Sequence, residues 1–144
     1  MPERIYINPK WYLGQYKQNM HEIHDLDDEI EQLETHMTSV SVPTDKVVVK
    51  GGKPQDFSGT IAKIADMQVE VKLLRAEAVD KLAEIDAVLA QVEDGEHAHI
   101  LRLRYISCLT FEQIAVEAHY SYRWVCTLHG RALQEVGRII NGND

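Results

Sequence analysis

Apolar residues recur along the first part of the chain at Tyr16, Met20, Ile23, Leu26, Ile30, Leu33 and Met37. From Met20 onward the spacing alternates three and four. This predicts one stripe on a long helix that begins near Trp11 and is sustained enough to form a coiled-coil seam. The intervening DLDDEIEQLE supplies an acidic face, read as solvated and serving solubility and seam specificity. A second stripe runs Phe57, Ile61, Ile64, Val71, Leu74, Ala78, Leu82, Ile85, Leu89 and Val92. Ser58 is the expected N-cap of that helix and Gly95 its stop signal. Between the two lies a linker over about 41–57, punctuated by Pro43, Gly51, Gly52 and Pro54. Its KVVVK has the composition of a short strand without a partner strand. Neither helix can bury its stripe alone. They are expected to fold back as an antiparallel hairpin or to pair with a second copy, and the region to carry homo-oligomerisation as a dimer or higher assembly.

The pattern shortens after Gly95. HAHILRLRYIS, residues 97–107, predicts a short helix that is apolar on more than one side, as suits packing against two others. Thr110 followed by Gln113 forms a capping box opening a helix of about two turns that ends at Ala118. His119 and Tyr120 make the turn, and Ser121 caps a third helix. Val125, Leu128, Ala132 and Val136 face inward on it. Tyr122, Arg123, Thr127, Gly130, Arg131 and Gln134 face outward. Trp124 is expected to pack under the first helix of this module, with a DNA-backbone contact as the alternative. A short helix, a tight turn and a capped longer helix form a helix-turn-helix. The fold class expected is therefore all-α. A long helical hairpin or coiled coil spans residues 1–95, and a three-helix module spans 96–144.

Charge qualifies this reading. The chain carries a net charge of -8, which by itself argues against nucleic acid. Residues 1–95 hold 10 basic against 18 acidic residues, whereas residues 96–144 hold 5 of each. From Tyr120 to Arg138 there are three arginines and one acid, Glu135, so a local basic face can exist on an acidic protein. No apolar run approaches the roughly 18 residues of a membrane span, and no N-terminal signal pattern is present. A soluble, cytoplasmic protein with no membrane partner is expected. Cys108 and Cys126 match no disulfide framework or metal pair and are expected as buried or half-buried thiols. His21 with His24, and His97 with His99, are close enough to share a helix face, but a metal there would need acids from elsewhere. No metal, cofactor or catalytic residue is assigned and no enzyme is expected, since neither a Gly-rich phosphate loop nor HExxH occurs.

In a helix-turn-helix the N-terminal end of the second helix enters the major groove. Arg123 there can donate two hydrogen bonds to a guanine. Tyr122 and Thr127 can meet a base edge, a thymine methyl or a phosphate. Arg131 and Arg138, further along, are expected to neutralise phosphates. The amides at the helix starts of Thr110 and Ser121 are further candidates. Gly130 costs its helix roughly 1 kcal/mol against Ala, and is read either as drift at an exposed position or as a close approach of backbone or DNA.

ILRLRYISCLTFEQIAVEAHYSYRWVCTLHGRAL resembles region 4 of sigma-70-type RNA polymerase factors, which reads the -35 promoter element. It is still more similar to a family of short proteins from phages and prophages of Gram-positive bacteria, related to ArpU- and RinA-type late-gene regulators. KVVVKGGKPQDFSGTIAKIADM matches that family's linker and second-helix start, so the resemblance covers roughly residues 45–135. YSYRWV and LHGRAL are its most specific parts. It places the base-reading positions on Tyr122, Arg123 and Thr127, and Cys126 where sigma factors often have a basic phosphate contact. It also places His119 where relatives commonly have Gly, which implies a turn with positive φ and some strain. The implied function is a DNA-binding transcriptional regulator, with double-stranded DNA and host RNA polymerase as candidate partners. Two alternatives remain open at this point. One is a small terminase-like DNA-packaging subunit. The other is an interaction module that binds polymerase without DNA.

Overall fold

The computed structural model describes residues 5–41 and 56–142. These contain five helices, and no strand occurs among the described residues, so the all-α expectation holds. The middle of the expected linker, with KVVVK, lies outside them.

Helix α1 spans Pro9–Ser41. It begins two residues before the expected Trp11, because Asn8 Oδ1 accepts the backbone N–H groups of Lys10 and Trp11 at 2.9 and 3.3 Å. Pro9 at the first helical position loses no hydrogen bond. The buried stripe gains Leu13, which the expected one did not include, and differs from it within its span at one place. Met20 is turned outward and 39 % exposed, while Asn19 is 9 % exposed. With Asn19 in the seam, Tyr16, Asn19, Ile23, Leu26, Ile30, Leu33 and Met37 keep the alternating spacing throughout. A reading that counts only apolar residues steps over a buried polar one.

Helix α2 spans Ser58–Leu89. Ser58 is its first helical residue rather than its cap. Phe57 occupies the cap position, and Asp56 Oδ1 accepts the Ser58 N–H at 2.9 Å. Ile64, Met67, Val71 and Ala78 pack against Ile23 and Ile30 of α1, while Ile61, assigned to the stripe by spacing, is 58 % exposed. Leu13 near the start of α1 shares a core with Ile85 and Leu89 near the end of α2, and Ile30 shares one with Ile64 and Met67. The two helices therefore run in opposite directions side by side.

Gly95 does not stop α2, which ends at Leu89; it is the first residue of α3, Gly95–Tyr105. Asp94 explains this, since its carboxylate accepts the N–H groups of Glu96 and His97 at 2.9 and 3.2 Å and so caps the new helix. Helix α3 buries two sides, as expected. Leu101 and Tyr105 join the hairpin core with Ala132 and Val136, whereas Ile100 joins Ile114, Val125 and Leu128.

Helix α4, Phe111–Ala118, opens on the expected capping box. Thr110 Oγ1 accepts the Gln113 N–H at 3.1 Å, and Gln113 Oε1 accepts the Thr110 N–H at 2.9 Å. It ends at His119 with φ 58 and ψ 40, the left-handed turn predicted for that position. Ser121 then caps α5, Tyr122–Asn141, by accepting the Trp124 N–H at 3.1 Å. All four inward positions expected on α5 are buried: Val125, Leu128, Ala132 and Val136.

Candidate nucleic-acid interface

The buried stripe of α5 fixes what it presents to solvent. At 100° per residue, Arg123, Thr127, Arg131, Gln134 and Arg138 fall on the face opposite Val125, Ala132 and Val136. Arg123, Arg131, Gln134 and Arg138 are exposed, as is Gly130 beside them. The one acid of α5, Glu135, is off this face. Its carboxylate is held at 3.2 Å by His97 Nδ1 of α3, with both side chains about 15 % exposed. The result is a continuous arginine face with no carboxylate from its own helix.

Each predicted contact residue can now be placed. Arg123 lies exposed in the first turn of α5. Tyr122 is 50 % exposed but points away from the arginine face, with its ring edge-on to Phe111 at 6.4 Å. Its phenol is raised above the ordinary value, first by a hydrogen bond with Cys126 and then by the nearby Cys126 and Glu112 charges. Thr127 is half-buried and donates its hydroxyl to the Arg123 carbonyl at 3.1 Å. It therefore presents mainly its methyl group and lone pairs outward. The side chains of Thr110 and Ser121 are each engaged by an amide of their own helix, which leaves only the preceding amides of each first turn for a phosphate. Arg138, in the last turn, lies about 22 Å along the axis from Arg123 at 1.5 Å per residue. The structure thus groups Arg123, Thr127 and Arg131, sets Tyr122 at one edge and places Arg138 at the far end.

Trp124 corrects the sequence reading. It is 38 % exposed instead of packed beneath α3, and the Arg131 guanidinium lies over its ring at 5.4 Å from the centroid. The signal was available as a Trp–Arg pair seven residues apart on one helix, but burial of a large aromatic is the stronger prior. Gly130 has open space where a Cβ would project, with nothing within 4 Å. The protein's own backbone therefore does not require it.

Behind this face the scaffold is rigidly built. Arg104 donates to the Leu109 carbonyl at 2.9 Å and lies 4.5 Å above the Phe111 ring. The turn tyrosine, Tyr120, donates to Glu96 at 2.9 Å, tying the turn to the start of α3. His129, on the buried side of α5, is 8 % exposed and sits 2.7 Å from the Tyr105 hydroxyl. Burial lowers its pKa from 6.5 to about 4, and burial raises that of Tyr105 to about 12. The imidazole is neutral at pH 7, and its Nε2 can accept the phenolic proton. Neither group reaches solvent as a catalyst would need.

Among the described residues no group of three or more His, Cys, Asp or Glu is placed to hold a metal ion. No described helix is long and apolar enough to cross a membrane. Cys108 and Cys126 are free and half-buried, and burial raises the Cys108 thiol. Comparison with known proteins finds no matching family model, no matching curated protein and no matching solved structure.

Proposed function

We propose that the chain is a phage or prophage DNA-binding transcriptional regulator that reads duplex DNA with the N-terminal half of α5. The observation that carries this reading is the arginine face itself. Arg123, Arg131 and Arg138 are aligned on the exposed side of a capped helix whose only acid is engaged by His97. Such a helix matches the major groove in width, and its first turn reaches base edges. Arg123 is the base reader. Arg131 and Arg138 neutralise phosphates, and Thr127 offers its methyl group to a thymine. Trp124, held by Arg131, is added to the contact set as a sugar–phosphate neighbour. The resemblance to sigma region 4 supports the assignment of Arg123 and Thr127, and equally names Tyr122, whose ring here lies edge-on to Phe111.

The test is selection of bound duplexes from a random pool, followed by titration of the enriched site at several salt concentrations. Arg123→Ala is expected to weaken the preferred site by about 10- to 100-fold and to relax preference at one base pair. Arg131→Ala and Arg138→Ala are expected to weaken all sequences alike and to lower the salt slope by about one each. An unchanged affinity for Arg123→Ala would remove α5 as the reading helix. The net charge of -8 favours a second reading, in which the module docks on a protein such as polymerase without binding DNA. Absence of duplex binding even at low salt would leave that reading standing alone.

A further inference from the structure

Helix α2 is apolar on two faces. One packs against α1. On the other, Ile61, Val69, Leu73 and Val79 are 58, 57, 68 and 67 % exposed, and Ala62, Ala65 and Ala76 between them and Ala83 and Ala87 after them are exposed as well. These positions recur at three- and four-residue intervals on the side away from Ile64, Val71 and Ala78. No described element covers them. A helix with apolar residues on two sides is built for burial on both, and the exposed apolar positions form one stripe, broken in its C-terminal part by Asp80 and Asp86.

The stripe runs about 40 Å along the axis from Ile61 to Ala87 at 1.5 Å per residue. A helix in contact over that length buries on the order of 800 Å² per partner, the size of a stable interface. Among the described elements only α1 and α2 are long enough to match it, and the outward face of α1 is mostly acidic, with Trp11 and Met20 its only large exposed apolar side chains among the described residues. That leaves α2 itself as the matching surface.

The charges beside the stripe set the direction. On the flank facing the groove with Asp27 and Glu34 of α1 lie Gln68, Lys72 and Arg75. Arg75 is engaged by Asp27 at 3.3 Å. The opposite flank carries Asp66, Glu70, Glu77, Asp80 and Glu84, of which Glu84 is engaged by Lys81 at 3.3 Å. If two α2 helices met antiparallel about a two-fold axis, each flank would face its own copy, and the carboxylates would line up against carboxylates. If they met parallel, the Lys72 flank would face the acidic flank of the other copy. Alternation of unlike charges beside an apolar seam sets partner orientation in paired helices.

We propose that the outer stripe of α2 is the homodimer interface and that the two α2 helices run parallel along it. Both hairpins then point the same way and both α5 helices emerge at one end of the dimer. This deepens the function proposed above, since two reading helices at one end can engage two half-sites together; that consequence, unlike the interface, rests on that function.

The test uses the full chain in the absence of DNA. Sedimentation equilibrium should give twice the chain mass. Leu73→Glu with Val79→Glu should weaken self-association by roughly 100-fold or more. Helicity should be retained, because both side chains are already about two-thirds exposed. In a background with Cys108→Ser and Cys126→Ser, the single substitutions Ala65→Cys, Ala76→Cys and Ala83→Cys should each form a disulfide-linked dimer under mild oxidation. An antiparallel pair would cross-link only at a site near its two-fold axis. A single-chain mass at every concentration would assign the stripe to another protein. That result, cross-linking at one of the three sites only, or a double variant that stays dimeric each overturns the proposal. A monomer that still binds a duplex specifically sinks this inference alone. A parallel dimer that ignores duplexes sinks only the regulator reading.

Discussion

At the scale of single residues, His129 is the most informative titratable group. It is wedged between Tyr105, stacked at 5.7 Å, and Phe111, edge-on at 4.8 Å, and burial holds its pKa near 4. Between pH 6.5 and 4 the unfolded chain binds a proton here that the folded chain refuses. Stability from this site is therefore fully present above pH 6.5 and is lost as the pH falls toward 4, by up to about 3 kcal/mol. Thermal unfolding from pH 8 to 4 should show a steep loss across that window. His129→Gln should flatten that part of the profile while lowering stability at pH 7. A profile unchanged by the substitution would mean that the imidazole is not held neutral. His129 was passed over because only apolar residues were counted, although Val125, His129, Ala132 and Val136 are spaced four, three and four; nothing in that spacing shows that a tyrosine from α3 would meet it. The left-handed backbone at His119 was expected only through the resemblance, which places it where relatives commonly have Gly, and its φ of 58 agrees with that expectation.

At the scale of elements, the caps and inward stripes of α4 and α5 were readable because each rests on interactions within a few residues: Thr110 with Gln113, Ser121 with Trp124. Helix α1 shows where such reading stops. Periodicity that counts only apolar residues selected Met20, whereas the seam contains Asn19, whose Nδ2 has no hydrogen-bond partner among the described residues. A buried donor left unmade destabilises by about 1–3 kcal/mol, and a lone polar residue in a helical seam trades stability for a fixed register. Asn19→Leu is expected to stabilise the protein by about 1–2 kcal/mol and to raise the melting temperature by several degrees at fixed protein concentration. A lower melting temperature would show that the Asn19 amide is satisfied and that its contacts, rather than register alone, hold the upper hairpin together. The second face of α2 escaped the sequence reading for a related reason. One stripe was enough to predict a helix, and the alanines of the second face, such as Ala65 and Ala76, gave no further signal of their own.

At the scale of the whole molecule, the charge change and Gly95 suggested a break between residues 95 and 96, yet the packing crosses it. Leu13, Ile85 and Leu89 share one core with Leu101, Tyr105, Ala132 and Val136. Asp86 and Arg102 pair across the junction at 2.6 Å. Asn141 at the end of α5 is bonded to the backbone of Ile7 in both directions, at 2.8 and 2.9 Å. Pattern reading assigns apolar positions to an element, but it cannot say which third element covers the end of a stripe. Such a shared core implies that the hairpin and the α3–α5 module unfold together. Trp11 on α1 and Trp124 on α5 report on the two parts, so Trp124→Phe and Trp11→Phe give single-tryptophan proteins, one for each part. Denaturation followed by fluorescence should give coincident midpoints in the two. Leu89→Ala in either background should lower both midpoints together, by about 2–5 kcal/mol of stability, because Leu89 is 1 % exposed at the centre of the shared core. Separate midpoints, or a loss felt only at Trp11, would mean two independent units. Coincidence would mean that the direction of α5 is set by the hairpin, so that whatever the hairpins bind fixes how the arginine faces are presented.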